Sequence, residues 1–457
     1  MNPDALLNPA PSRKTVRLQE RGNILFRLLA VYLFLLFFRP FDQWMWLQLL
    51  HLPMVTGGLC LVAYVARRLS RGQTVVPFSP IATPLGLLTF WMLCTIPFSF
   101  WMSGSLQTFW DAWVKMVILY ILLANVPQSA RQVWVAVWVC IVGATGVSLI
   151  AVALKVLLGE SVAEGRLVSN ASGLYSGPNF FAMTLMLLLP YALFVLFLDK
   201  RLLVRLFAGF VVGIFTIANL MTESRSGLIV EGLVVLLVFW KLREWGIGLL
   251  KTVGALVLGA ALFLPLAPGG LWQRFSALLS DSDLGKVDVN SAMGSALVSL
   301  QERQQLLVRA IILTAENPIF GVGMNNFPAA AHARFDTGPG EWLGCHDTFL
   351  QISAELGIPG LLLHLILLYA TFKSLRQLRK HLRSARDTVP DFARMRLATE
   401  ATAISFYGYA AFSLIAHLGY QPYFFIVAGI VQNLSNLSSV AETRLRAKPA
   451  LTPVVAA

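Results

Sequence analysis

His346 is the residue of this chain best suited to proton chemistry. It stands in GCHDTFLQISAELGIPG (344–360), where a polar stretch gives way to a long apolar run. Imidazole changes charge near neutral pH, so a histidine at the mouth of a membrane cavity can act as general base. The same position also suits a capping or interfacial histidine. His332, in the same polar stretch, is its competitor. His51, His364 and His417 read as packed or interfacial side chains, and His381 sits in a basic loop.

Arginines form the second constellation. Arg225 lies in TESRSGL (222–228), Arg303 and Arg309 in QERQQLLVRAIILTAENP (301–318), Arg166 in EGRLVSNASGLYSGPN (164–179), and Arg274 and Arg334 elsewhere. The planar guanidinium grips phosphate bidentately and stays charged beside lipid, so several converging arginines could hold a diphosphate. Each one alone fits equally a lipid headgroup contact or a surface ion pair. Asp281 and Asp283 form a D-x-D that reads as a polar turn rather than a metal pair. No His/Cys pair has metal-ligand spacing and no phosphate loop of the ATPase kind occurs, so no metal or cofactor is expected. Cys345 adjoins His346, but sequence neighbours rarely form a thiol–imidazole dyad. Cys60, Cys94 and Cys140 fall in apolar runs and Cys345 alone falls outside them, so no structural disulfide is expected.

The elements that must position these groups are membrane helices. The chain has 457 residues, 57% hydrophobic and 13% charged. A soluble domain carries about a quarter charged residues, so a cytosolic protein and a disordered chain are both excluded. Apolar runs long enough to cross the hydrocarbon as helix read at 24–38, 44–66, 81–101, 112–126, 132–157, 179–198, 202–221, 226–241, 247–266, 348–372, 398–419 and 422–438. The expected fold is therefore an all-α polytopic membrane protein of about twelve spans. With both termini placed in the cytoplasm, 26 of the 36 Lys and Arg residues fall on the inside. That asymmetry accounts for the net charge of +13 without invoking nucleic acid. No cleavable signal is evident ahead of the first span. The ten basic residues left over include Arg166, Arg225, Arg303, Arg309 and Arg334; they sit against the topological rule and so invite a functional reason. Mid-span ionisable residues are few, mainly Lys115 and Glu231, which argues against a transporter path through the bilayer.

The chain divides into 1–266 (nine spans), 267–347 (one long outer segment) and 348–457 (three spans and a tail). Within the outer segment an amphipathic helix is expected at about 301–316. Its apolar stripe is Leu306, Leu307, Ala310, Ile311 and Thr314, and Asn317 and Pro318 end it. Arg309 projects about 120° from that stripe. The glycines of GVGMNNF (321–327) imply a turn or a close backbone approach.

Three features together resemble the bacterial O-antigen ligases, whose superfamily also holds O-antigen polymerases and protein O-oligosaccharyltransferases. The first is the plan of twelve spans with one long loop before the tenth. The second is an R-x-x-x-L element, read as Arg309 to Leu313 or as Arg303 to Leu307, followed by NPIFGVGMNNF (317–327). The third is His346, Asp347, nine residues, then Gly357 and Gly360. Asp347 departs from the family's amide or hydroxyl, and Leu361, Leu362 and Leu363 stand where a glycine pair often follows. The resemblance implies a GT-C-like fold in the inner membrane with its active site on the periplasmic face. It implies a metal-independent, inverting glycosyl transfer. The donor would be undecaprenyl-diphosphate-linked O-antigen and the acceptor lipid A-core oligosaccharide. His346 would then be the general base, with Arg225 and Arg309 in the catalytic set and Arg303, Arg166, Arg334 and Asp347 as substrate contacts. Within the superfamily the short tail and the single dominant loop favour a ligase. A polymerase, or a transporter without chemistry, is the alternative.

Overall fold

The computed structural model describes residues 13–159, 167, 173–246, 292–335, 343–384 and 392–446, with four isolated residues between 254 and 272. The span expected at 247–266, together with Arg166, Arg274, Asp281 and Asp283, lies outside the described residues. Among the described residues the protein is all-helical, with no strand. The main helices are α1 (Arg13–Phe38), α2 (Leu52–Leu69), α3 (Ala82–Thr95), α4 (Met102–Thr108), α5 (Val114–Asn125), α6 (Ala130–Leu158), α7 (Pro178–Leu198), α8 (Leu202–Thr222), α9 (Arg225–Glu244), α10 (Ala292–Glu316), α11 (Phe327–Phe335), α12 (Thr348–Ser384), α13 (Phe392–Ser413) and α14 (Tyr423–Arg446).

Seven helical segments among the described residues are long and apolar enough to cross a membrane: Ile24–Asp42, Trp46–Leu69, Met102–Asn125, Ala130–Leu157, Pro178–Leu198, Leu202–Thr222 and Thr348–Arg383. The protein is a multi-pass membrane protein. The run at 81–101 forms the shorter apolar helix Ala82–Phe98. The short run at 112–126 gains length at its start, where the π-helical turn Phe109–Trp113 joins α4 to α5. The runs at 226–241, 398–419 and 422–438 are helical as α9, α13 and α14, but fall outside the seven.

α7 is the axis of the bundle. Every residue from Phe181 to Val195 is buried, and α8, α9 and α13 pack around it. Pro178 starts it, where a missing N–H costs nothing. Among the described residues two apolar cores result. One fills the bundle. The other is smaller and lies under α10 and α11, built from Leu306, Ala310 and Leu313 of α10, Phe327, Ala330 and Ala331 of α11, and Val322, Cys345 and Ala354.

Candidate functional site

The site begins with a broken helix. α12 contains a non-helical residue at Gly357, with φ 71° and ψ −179°. A left-handed φ favours glycine, and a Cβ here would sit 2.0 Å from the Ile319 carbonyl oxygen. The break frees carbonyls that the continuous ladder would have used, and in an apolar surrounding these need new donors. The 318–327 loop and Trp91 supply them. Val322 N donates to Ala354 O at 2.8 Å, Gly323 N to Glu355 O at 2.9 Å, and Trp91 Nε1 of α3 donates to Leu356 O at 2.9 Å. Across the break, Ile358 N donates to Pro318 O at 2.8 Å. The two glycine motifs of the sequence are thus two halves of one joint. Glu355 completes it: buried, its carboxylate accepts from Phe327 N at 3.2 Å and from Gln351 Nε2 at 3.4 Å.

α10 lies across this joint and packs on α12. It starts at Ala292, some nine residues before its expected start. Its buried stripe also differs from the expected one. Leu306, Ala310 and Leu313 are buried, whereas Ile311 is 55% and Val308 56% exposed. Thr314 does face inward, its hydroxyl 3.0 Å from Ser353 Oγ. Arg303 falls three residues before Leu306, in phase with the buried stripe. A cation in an inward-facing register is the least expected residue type there. Among the described residues its guanidinium has no carboxylate partner and its buried Nε no hydrogen bond, and burial lowers its pKa.

His346 and Asp347 precede the first turn of α12. Asp347 caps that helix: its Oδ1 accepts from Leu350 N at 2.7 Å. Burial raises its pKa, and the backbone N–H groups of Leu350 and Phe349 oppose the rise. Asparagine, serine and aspartate all cap helices, so the departure at this position is chemically small. His346 adopts a left-handed φ of 55°, a strained conformation for a non-glycine residue and one found disproportionately at functional sites. Its ring packs edge-on against His417 with centroids 5.2 Å apart. Its pKa falls to about 3, first through burial, then through His417 and Arg303.

His417 lies in the turn between α13 and α14. Side chains of α12 hold that turn: Thr348 Oγ1 donates to Ala416 O at 2.6 Å and accepts from Leu418 N at 2.9 Å, and Gln351 Oε1 accepts from Gly419 N at 3.2 Å. Gly344 passes so close beneath the ring that a Cβ would lie 2.9 Å from Nε2. Phe180 of α7 packs on the ring edge-on, with centroids at 5.3 Å. The imidazole's pKa falls to about 4 by burial and by Arg303.

Arg225 is the first residue of α9 and is buried. Ser224 caps α9 through Gly227 N at 3.0 Å and donates to Asn179 Oδ1 at 2.7 Å. Asn179 adjoins Phe180, so Arg225 sits at the same end of the bundle as the two histidines. Leu167, next in sequence to Arg166, donates its N–H to Met221 O at 2.8 Å, beside the turn that leads into α9. Arg309 points elsewhere. It lies 5.8 Å from the Phe335 ring centroid and reaches Gln305 at 3.4 Å. Arg334 flanks the same ring at 5.5 Å and pairs with Glu316 at 3.0 Å. The structure therefore brings together His346, Asp347 and Arg303, adds His417, places Arg225 at their end, and sets Arg309 and Arg334 apart around Phe335. Cys345 is fully buried in the smaller core, and burial pushes its thiol up to about 12, which suits packing rather than nucleophilic attack. Among the described residues no three of His, Cys, Asp and Glu are grouped to hold a metal ion.

Sequence reasoning passed over Glu355 and gave His417 no function. Glu355 carried a signal, an ionisable group inside an apolar span. His417 carried none, because its partners come from distant segments.

The family comparison covers this arrangement. Residues 208–365 match a family model described as O-antigen ligase. This stretch is an O-antigen ligase family domain. It runs from α8 into the middle of α12, so it contains Arg225, Arg303, Arg309, Arg334, His346, Asp347 and both halves of the glycine joint. The O-antigen ligase family includes ligases and polymerases, enzymes that transfer glycan. His417 lies outside the matched residues. Among curated proteins none matches the chain.

Proposed function

We propose that this protein is an O-antigen ligase that moves the glycan from undecaprenyl diphosphate to a sugar hydroxyl of lipid A-core at the periplasmic face of the inner membrane. The observation that carries the reading is Arg303, an unopposed guanidinium on an inward-facing helix register, within electrostatic reach of His346 and inside the ligase-family domain. The acceptor oxygen attacks the anomeric carbon, and the bond from that carbon to the diphosphate oxygen breaks. His346 takes the hydroxyl proton, and the undecaprenyl diphosphate leaves with the bonding pair. One displacement inverts the anomeric centre. Guanidinium groups stabilise the charge that grows on the leaving diphosphate, with Arg303 nearest His346, Arg225 at the same end, and Arg166 a further candidate. Of the two readings of the R-x-x-x-L element, the one beginning at Arg303 fits the inward stripe. Arg309 and Arg334 would then shape the outer rim with Phe335. Asp347 holds the start of α12 so that His346 keeps its position. A bound diphosphate would raise the depressed pKa of His346 toward the range of a working base.

The same reading takes the chain as twelve spans, GT-C-like, with both termini in the cytoplasm. The shorter α3, with α9, α13 and α14 and residues 247–266, completes the count. Lys241 and Arg379, at the far ends of α9 and α12, then fall on the cytoplasmic side, as the positive-inside rule expects.

The test is purified protein in nanodiscs, given undecaprenyl-diphosphate glycan and lipid A-core, with EDTA and no nucleotide. Mass spectrometry follows the lipid A-core. Attachment of the glycan is the expected outcome, and His346→Ala abolishes it while the protein stays folded. Lengthening of the lipid-linked glycan instead identifies an O-antigen polymerase. Neither product from folded protein returns the reading to a transporter without chemistry. Loss of activity in EDTA with recovery on a divalent ion overturns metal independence.

A further inference from the structure

Buried polar atoms almost always find a hydrogen-bond partner. Arg303 Nε, His346 Nδ1 and His417 Nδ1 are buried atoms for which the protein supplies none. They come from three separate elements: α10, the residue pair ahead of α12, and the turn between α13 and α14. They are close enough that Arg303 acts electrostatically on both imidazoles and His417 acts on His346. Among the described residues no carboxylate acts on either ring. Among the described residues the charged and titratable groups facing His417 are Arg303 and His346, while α7 and α12 offer its ring and its turn Phe180, Thr348 and Gln351.

The placement of His417 takes several parts. Two α12 side chains fix its turn, and Gly344 leaves room for its ring. A ring needed only as filler would not need an imidazole here. An anion entering this cluster meets one fixed cation and two neutral bases, and it favours protonation of whichever base accepts first. Two rings in contact do not both take a charge easily. A base for the acceptor hydroxyl must itself stay neutral.

We infer that His417 is a second functional imidazole, which becomes the imidazolium when the donor's diphosphate binds, so that the anion is met by Arg303 and His417 while His346 stays free to accept the acceptor's proton. The division of labour between the two rings rests on the ligase reading. The anion-linked protonation of His417 stands without it.

The experiment uses the full chain in nanodiscs with ¹⁵N-labelled histidine and inorganic pyrophosphate as the probe. The six imidazoles are followed at pH 7. One resonance is expected to move to the imidazolium position as pyrophosphate is added. It should persist in His346→Gln and be missing in His417→Gln. His417→Gln should also bind pyrophosphate roughly tenfold more weakly, the size of one charge-assisted hydrogen bond, with its melting temperature unchanged. The inference is overturned if pyrophosphate does not bind, if it binds without protonating an imidazole, or if the moving resonance vanishes in His346→Gln instead. The His346→Gln arm decides the matter even where His417→Gln fails to fold. Glycan transfer is assayed separately on the same preparation. Absent transfer with intact protonation sinks the ligase reading alone, and the reverse sinks this inference alone.

Discussion

The two ends of α9, α12 and α13 treat inward-facing cations in opposite ways. At the end where α9 and α12 finish, Glu400 of α13 lies between Lys241 at 3.3 Å and Arg379 at 2.7 Å, both carboxylate oxygens used, with Glu244 on Lys241 at 2.7 Å and Tyr407 on Arg379 at 3.0 Å. Lys241 and Arg379 each have a carboxylate there. At the other end Arg303 has no carboxylate among the described residues and faces two imidazoles whose buried Nδ1 atoms have no hydrogen-bond partner. A closed network gives rigidity and leaves nothing for a ligand. An open one leaves its charge for whatever arrives, at some cost to the empty protein. On the proposed reading, that difference marks one end as structural and the other as the site, without any appeal to motif.

The largest expected effect comes from breaking the matched end. Glu400→Ala leaves two cations facing each other and should cost about 3–5 kcal/mol, read as a fall in melting temperature in detergent. Transfer by the remaining folded fraction should be normal. Arg303→Met should do the reverse. Its melting temperature should hold or rise, since an unopposed cation is removed, while transfer falls roughly 10²–10³-fold. Arg309→Gln, on the rim, should lower transfer by only a few-fold, on the order of one surface contact. Equal losses at the two arginines would erase the distinction between inward and outward registers.

Acidity sharpens the comparison next. His346 titrates near 3 in the fold against about 6.5 when unfolded. The unfolded chain therefore binds more protons between those values. The stability this histidine contributes is complete above about pH 6.5 and is lost as pH falls toward 3. The empty protein should melt progressively lower from pH 7 to pH 4, with a shallower slope in His346→Gln. An unchanged slope would remove His346 as the source. The smallest effect belongs to Asp347. Asp347→Ala should cost about 1 kcal/mol for the lost cap, and Asp347→Asn a few tenths, measured by denaturation with transfer followed alongside.

Much of this was legible in the sequence. The helical membrane character, the arrangement of apolar runs, the outer helix and the glycines on either side of the joint follow from composition and spacing. The inward face of α10 does not. Ile311 and Val308 are apolar yet exposed, while Leu313 is buried. Next to a membrane, lipid and protein core are equally apolar, so a hydrophobic stripe stops marking the inside. That is why Arg309 looked as well placed as Arg303. His417 was hidden for another reason: Thr348, Gln351, Gly344 and Phe180 position it from far along the chain, and no local pattern encodes such a meeting.

The break at Gly357 has a consequence for how the molecule opens. The amides of Val322, Gly323 and Ile358 are locked to carbonyls across the break, so none can exchange its hydrogen with solvent unless loop and helix part together. These three should exchange at one shared rate, slower than loop amides normally do, and that rate would report the opening of the whole joint as a single cooperative unit.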